Sequence, residues 1–182
     1  MKKLEIQTDR LELRLIDWAD LEVIHRLHSI PETDEFNALG IPEDMEETKH
    51  VITPWIIANN ETEIKNYTFA IQDKQRKEFI GLFGLRLGPK KYKNAEVWYK
   101  LHIDCWNKGY ATESLKAVLN YGFDVLRLHR IEAGCSIDNI GSAKVMEKVG
   151  MTKEGLKRKI LPLKSGWSDS FEYAILESDM RY

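Results

Sequence analysis

Residues 95 to 126 constrain this chain more than any other stretch, because a strand there runs through a glycine turn straight into a helix. Ala95-Glu96-Val97-Trp98-Tyr99-Lys100-Leu101 alternates apolar and polar positions, the period of a two-faced strand. Leu115, Val118, Leu119 and Leu126 then recur at helical spacing. Between them lies Ile103-Asp104-Cys105-Trp106-Asn107-Lys108-Gly109-Tyr110-Ala111-Thr112-Glu113. The first amides of a helix have no internal partner and carry the positive end of its dipole, so a phosphate or pyrophosphate is a natural guest. Gly109 lets the backbone come close to such a guest. A glycine turn before a helix is equally the mark of an ordinary strand-to-helix connection, so the reading needs support from elsewhere.

The remaining pattern is that of one α/β chain. Arg10 to Ile16 reads as a first or edge strand, and Asp17 as the cap of a helix with Leu21, Ile24 and Leu27 as its buried stripe. Pro31 closes that region, and residues 32 to 41 read as a loop or short irregular helix. Pro42 fits the first turn of a second helix, and Pro54 predicts a kink or restart near Thr53. Tyr67–Gln72 and Phe79–Leu87 form a hairpin signal across the polar turn 73–77. Arg130–Ile137 reads as a strand parallel to 95–103, because a long helix intervenes. A short helix over Ile140–Val149 ends on Gly150, and Thr152–Leu161 and Ser168–Leu176 close the chain as strands. No repeat, linker or composition shift marks a boundary, so residues 1–182 are expected to form one domain.

Charge and composition exclude several classes. The net charge of −2 gives no basic face for nucleic acid. No apolar run approaches the length of a membrane span, and the start of the chain lacks a signal-peptide pattern. Cys105 and Cys135 are the two cysteines, too few for a disulfide framework or zinc site, so a reduced, cytoplasmic setting is expected. His25, His28, His50, His102 and His129 are too scattered for a triad or metal centre. The acidic run Glu43 to Glu47 is either a solvated helix start or a lip that attracts a cationic amine.

A second segment, Asp138-Asn139-Ile140-Gly141-Ser142-Ala143-Lys144-Val145-Met146-Glu147-Lys148-Val149-Gly150-Met151, supplies the support. Together the two segments resemble the GNAT superfamily of acyl-CoA-dependent N-acetyltransferases, and within it the Rim-type branch that includes acetyltransferases of ribosomal-protein N-termini. The branch's Trp-Gly-Lys-Gly-Tyr-Ala-Thr-Glu stands here as Trp106 to Glu113, with Asn107 in place of a glycine. The second motif stands as Asn139, Ser142, Gly150 and Met151. Thr8-Asp9-Arg10-Leu11-Glu12-Leu13-Arg14 and Gly166-Trp167-Ser168-Asp169 match the branch's opening and closing segments.

The resemblance implies a seven-stranded, mixed and mostly antiparallel sheet flanked by about four helices, with one splayed parallel strand pair. It implies acetyl-CoA as co-substrate, its diphosphate on the backbone of Trp106, Asn107, Lys108, Gly109, Tyr110, Ala111 and Thr112. Its pantetheine arm would pair with strand backbone at Leu101 and Ile103, with Asn139 nearby. If position 107 needs positive φ, asparagine is the least costly replacement for glycine. Many members place a tyrosine acid further along the second motif's helix, where this chain has Met146; in the branch Ser142 serves near the leaving thiol. Glu96 is the candidate base, and strand alternation puts it on one face with Trp98 and Lys100. The early helices, Trp167 and Asp169 would shape the acceptor pocket.

The expected reaction is direct acetyl transfer to a primary amine, with a peptide or protein N-terminus preferred. Small amines (a polyamine, amino acid or amine antibiotic) are the alternative, and a non-catalytic acyl-CoA-binding module is the alternative outside enzymes. Neither cysteine has a base in its own segment, which argues against a ping-pong route. A homodimer is the default expectation for assembly.

Overall fold

A computed structural model describes residues 4–179. Eight strands form one sheet in the order β1-β2-β3-β4-β5-β6-β8-β7. The strands are β1 (Glu5–Gln7), β2 (Leu11–Leu15), β3 (Asn66–Asp73), β4 (Phe79–Leu87), β5 (Asn94–Leu101), β6 (Arg130–Ser136), β7 (Thr152–Leu163) and β8 (Gly166–Leu176). The helices are α1 (Leu21–His28), α2 (Pro31–Asp34), α3 (Met45–Asn59), α4 (Tyr110–Asn120) and α5 (Ile140–Lys148). The class is the expected one. The eighth strand is β1, which folds back on β2 with Glu5 opposite Arg14, and α2 adds a helix to the expected four.

Every neighbouring pair is antiparallel except β5 and β6. Strand alternation sends the apolar side chains of the sheet to two separate cores. On one face Leu13, Phe69, Phe83, Val97 and Ile131 pack with Leu115, Val118 and Leu119 of α4 and Met146 of α5. On the other face Ala70 and Leu82 pack with Ile24 and Leu27 of α1 and Ile52 and Ile56 of α3.

Three local expectations are corrected. Pro42 lies outside α3, because Asp44 caps that helix by accepting from the Glu47 amide at 2.9 Å. Pro31 opens a helix instead of closing one, standing in the first turn of α2. Pro54 leaves α3 continuous: burial of Ile52 and Ile56 outweighs the one lost backbone bond. After α4 the chain takes one wide π turn over Tyr121–Val125 before β6.

Candidate active site

The site originates in a failure of pairing. β5 and β6 run parallel through only three residue pairs, Asn94 with Arg130, Ala95 with Ile131 and Glu96 with Glu132. Beyond Glu96, β5 stays bonded to β4 as far as Leu101, and β6 stays bonded to β8 as far as Ser136. The backbone groups that would have joined β5 to β6 therefore face a gap, and buried backbone groups require partners. A cavity of about 700 Å³ occupies that gap, within the size range of small-molecule and cofactor sites. Its walls include Val97 to Leu101 on one side and Ala133 to Cys135 on the other. Residues of both helical layers line it, from α4 and α5 at one end to Glu32, Thr33, Phe36 and Asn37 at the other.

The glycine turn closes one end. Trp106, Asn107, Gly109, Tyr110, Ala111 and Thr112 line the cavity where α4 begins; Ile103 and Lys108 lie outside the lining. Asn107 has φ +58° and Gly109 φ +81°, so both occupy the left-handed region that the turn demands. The Trp106 indole donates to the Leu101 carbonyl at 2.9 Å and so fastens the end of β5 to the turn.

The N-terminal segment braces this turn from behind. Arg10 Nε donates to Glu113 Oε2 at 2.7 Å, and Arg10 Nη1 donates to the Lys108 carbonyl at 3.1 Å. The Arg10 guanidinium also lies 4.7 Å from the centroid of the Tyr110 ring. The other Glu113 oxygen accepts from the Arg10 amide at 3.0 Å and from the Thr8 hydroxyl at 2.5 Å. These bonds hold the Glu113 carboxyl below its usual range against a burial effect that opposes them. These contacts fix the Lys108 carbonyl and the first turn of α4 against the opening of β2.

At the centre, Asn139 caps α5 by accepting from the Ser142 amide at 3.0 Å, and both residues line the cavity. The Ser142 hydroxyl lies 2.7 Å from the Tyr99 phenol oxygen. Tyr99 reaches it from β5, and burial pushes its pKa up to about 12. Tyr99 was not among the sequence-predicted residues. It is the phenol at the gap that Met146 cannot supply from α5, and its position on the α4 and α5 face of β5 was the available clue. Met146 itself is buried in the core.

Glu96 takes a different position from the one expected of a base in contact with substrate. It lies at the zipped end of β5, outside the cavity lining, and pairs with Arg86 opposite it on β4. Trp98 and Lys100 share its strand face and do line the cavity. Trp167 and Asp169 also lie outside the lining: the Trp167 side chain is exposed, and Asp169 accepts from the Lys159 amide at 2.9 Å. The acidic run at the start of α3 is likewise absent from it. Cys105 and Cys135 line the cavity, but burial raises both thiols, Cys135 to about 11. Neither is a poised thiolate. No metal-holding cluster of His, Cys, Asp and Glu occurs among the described residues.

A slot between splayed strands, closed by a glycine turn at the start of a helix, is the architecture of an acyltransferase that draws on an acyl-CoA thioester. The acetyltransferase (GNAT) domain profile matches residues 10–152, and the chain belongs to that family, whose acetyl donor is acetyl-CoA. It is similar to the uncharacterized N-acetyltransferase YnaD of Bacillus subtilis (strain 168), 31% identical over 179 residues, which cover 97% of this chain and 99% of YnaD. The crystal structure of a GNAT-family acetyltransferase from Bacillus anthracis matches the fold with a TM-score of 0.83 and 30% identity, covering 96% of this chain and 99% of that one. A spermidine N(1)-acetyltransferase of Vibrio cholerae is 26% identical over 146 residues, 80% of this chain and 81% of that protein.

Proposed function

We propose that the protein transfers the acetyl group of acetyl-CoA directly to a primary amine, and that the amine is the N-terminus of a peptide or protein, as in the Rim-type branch. The single observation that carries the reading is the continuous cavity from the glycine turn, through the strand gap, to the α2 side. A ligand arm laid in the gap meets the unpaired edges of β5 and β6, and its reacting end faces α2 and the residues that follow it.

The chemistry follows from the groups along that path. The amides of the turn and the dipole of α4 hold the diphosphate, with Asn139 beside the arm. Tyr99 stays protonated and donates to Ser142, which frees the serine hydroxyl proton for the departing sulfur. Full proton transfer from a phenol near 12 to a thiolate near 8.5 would be uphill by about 5 kcal/mol, so the pair stabilises the thiolate by hydrogen bonding. The proton that finally neutralises the thiolate is the one the amine sheds as the C–N bond forms and the C–S bond breaks. An α-amine of pKa 7.7–8.0 costs only about 1 kcal/mol to deprotonate at pH 7, against about 4.6 for a lysine. Glu96, displaced from the slot, suffices for the easier task by way of water along its strand face.

A small polyamine is the competing acceptor, favoured by the likeness to the Vibrio cholerae spermidine enzyme. Release of free CoA thiol is to be followed with a panel of peptides and a panel of small amines. Peptide acetylation supports the reading, and activity confined to the small amines overturns the choice of acceptor. Tyr99→Phe and Ser142→Ala each lower kcat about tenfold with little change in the KM for acetyl-CoA.

A further inference from the structure

One charged group on the acceptor side of the gap has no use in the mechanism above. Lys100 lines the cavity from β5, yet its side chain is only 7% exposed and its Nζ is buried without a hydrogen-bond partner. A buried ammonium left unpaired is costly, and the expected response is a ligand that supplies the missing acceptor. Asp34, in α2, is 4% exposed, and its Oδ1 is also buried without a partner. Burial pushes the Lys100 pKa down to about 8 and the Asp34 charge opposes that shift, yet neither Lys100 Nζ nor Asp34 Oδ1 has a hydrogen-bond partner. His28 stands on the same side, held neutral by burial and by the Lys100 charge, with its ring against Trp55 and Trp55 against Trp98. The cavity thus offers one strong, unsatisfied donor beside an aromatic wall.

Resting on the acetyl-transfer reading, we propose that Lys100 forms the subsite for the carbonyl next to the acceptor amine. The Lys100 ammonium donates to that carbonyl oxygen, while Asp34 stays outside the cavity lining and favours the charged form of the lysine. The acceptor class is then an α-amino carbonyl compound. A peptide N-terminus offers the oxygen as a carbonyl, and a free amino acid offers it as a carboxylate. A polyamine brings a second cation against a buried one and has no oxygen to satisfy it.

The test measures binding to the CoA-loaded protein by calorimetry, independently of turnover. The probes are a tripeptide with a free α-amine, its N-terminal amino acid, an alkylamine of the same size without a carbonyl, and spermidine. The wild type binds the tripeptide and the amino acid more tightly than the alkylamine, and spermidine most weakly. Lys100→Met weakens the tripeptide about ten- to hundredfold, the worth of one charge-assisted hydrogen bond, and leaves the alkylamine within about twofold. Lys100→Arg keeps the order of the wild type. Lys100→Met lowering tripeptide and alkylamine by the same factor, or changing neither, overturns the subsite. Those outcomes are read whether or not acetyl transfer occurs; absent thiol release with every amine would instead defeat the acetyl-transfer reading.

Discussion

Arg10→Ala tests whether the N-terminal segment holds the glycine turn at 106–112 in shape. The substitution removes the donor to the Lys108 carbonyl, the charged bond to Glu113 and the guanidinium beside Tyr110. A hydrogen bond to a charged partner contributes about 1.5–3 kcal/mol when shielded. The Arg10 side chain is 49% exposed, so solvent screening reduces the net loss to about 1–1.5 kcal/mol. Arg10, Lys108 and Glu113 lie outside the cavity lining, so the loss arises as the cost of ordering the turn when ligand arrives. It corresponds to a five- to tenfold weaker affinity for CoA. Calorimetry with CoA reads this directly, and Glu113→Gln should move it the same way. Acceptor KM and kcat at saturating acetyl-CoA change little. Arg26→Ala, which breaks an exposed pair with Glu22 on α1, is the control for a generic surface charge. CoA affinity within twofold of the wild type for Arg10→Ala, or an equal effect of Arg26→Ala, refutes the reasoning.

Other perturbations reach different parts of the molecule. A Cβ at Gly84 would lie 2.0 Å from Trp98 Nε1 and 2.1 Å from Cε2, so Gly84→Ala must push that indole out of its place beside Trp55. Overpacking of this kind costs about 1–3 kcal/mol, and the expected result is a lower melting temperature with acceptor KM raised at least tenfold and CoA affinity unchanged. His28 has its pKa lowered to about 4, mainly by burial, so the unfolded chain binds its proton near 6.5 and the folded one does not. Stability from this residue is therefore complete above pH 6.5 and is lost as pH falls toward 4, by about 3 kcal/mol in all. Urea unfolding of the wild type and of His28→Phe across that window reads the difference, and an unchanged acid limb in the variant would count against the assignment.

What was legible in the sequence was what depends on neighbouring residues. The glycine turn, the helix behind it and the end of α5 at Gly150 each arise within a few positions, and all three stand where the pattern puts them. The positive φ that asparagine would tolerate at position 107 is the one the turn adopts, +58°. Alternation also gave the right face for Glu96, Trp98 and Lys100, but period two carries no information on where a strand leaves its neighbour. Because β5 and β6 stay zipped through Glu96 and Glu132, the carboxylate sits at the closed end of the slot and Lys100 near the open one. Tyr99 and Ser142 meet across 43 positions by the packing of α5 on β5, which no local pattern encodes. Arg10 and Glu113 are 103 positions apart, and only the fold turns an opening strand motif into a brace.

Three residue pairs are all that join β1–β5 to β6–β8 within the sheet. The protein is in that sense two half-sheets sharing a short seam, and a molecule threaded along the rest of the seam acts as its suture. Amide exchange at residues 97–101 and 133–136 should accordingly slow together when CoA is added, coupling the two halves mechanically before any acceptor arrives.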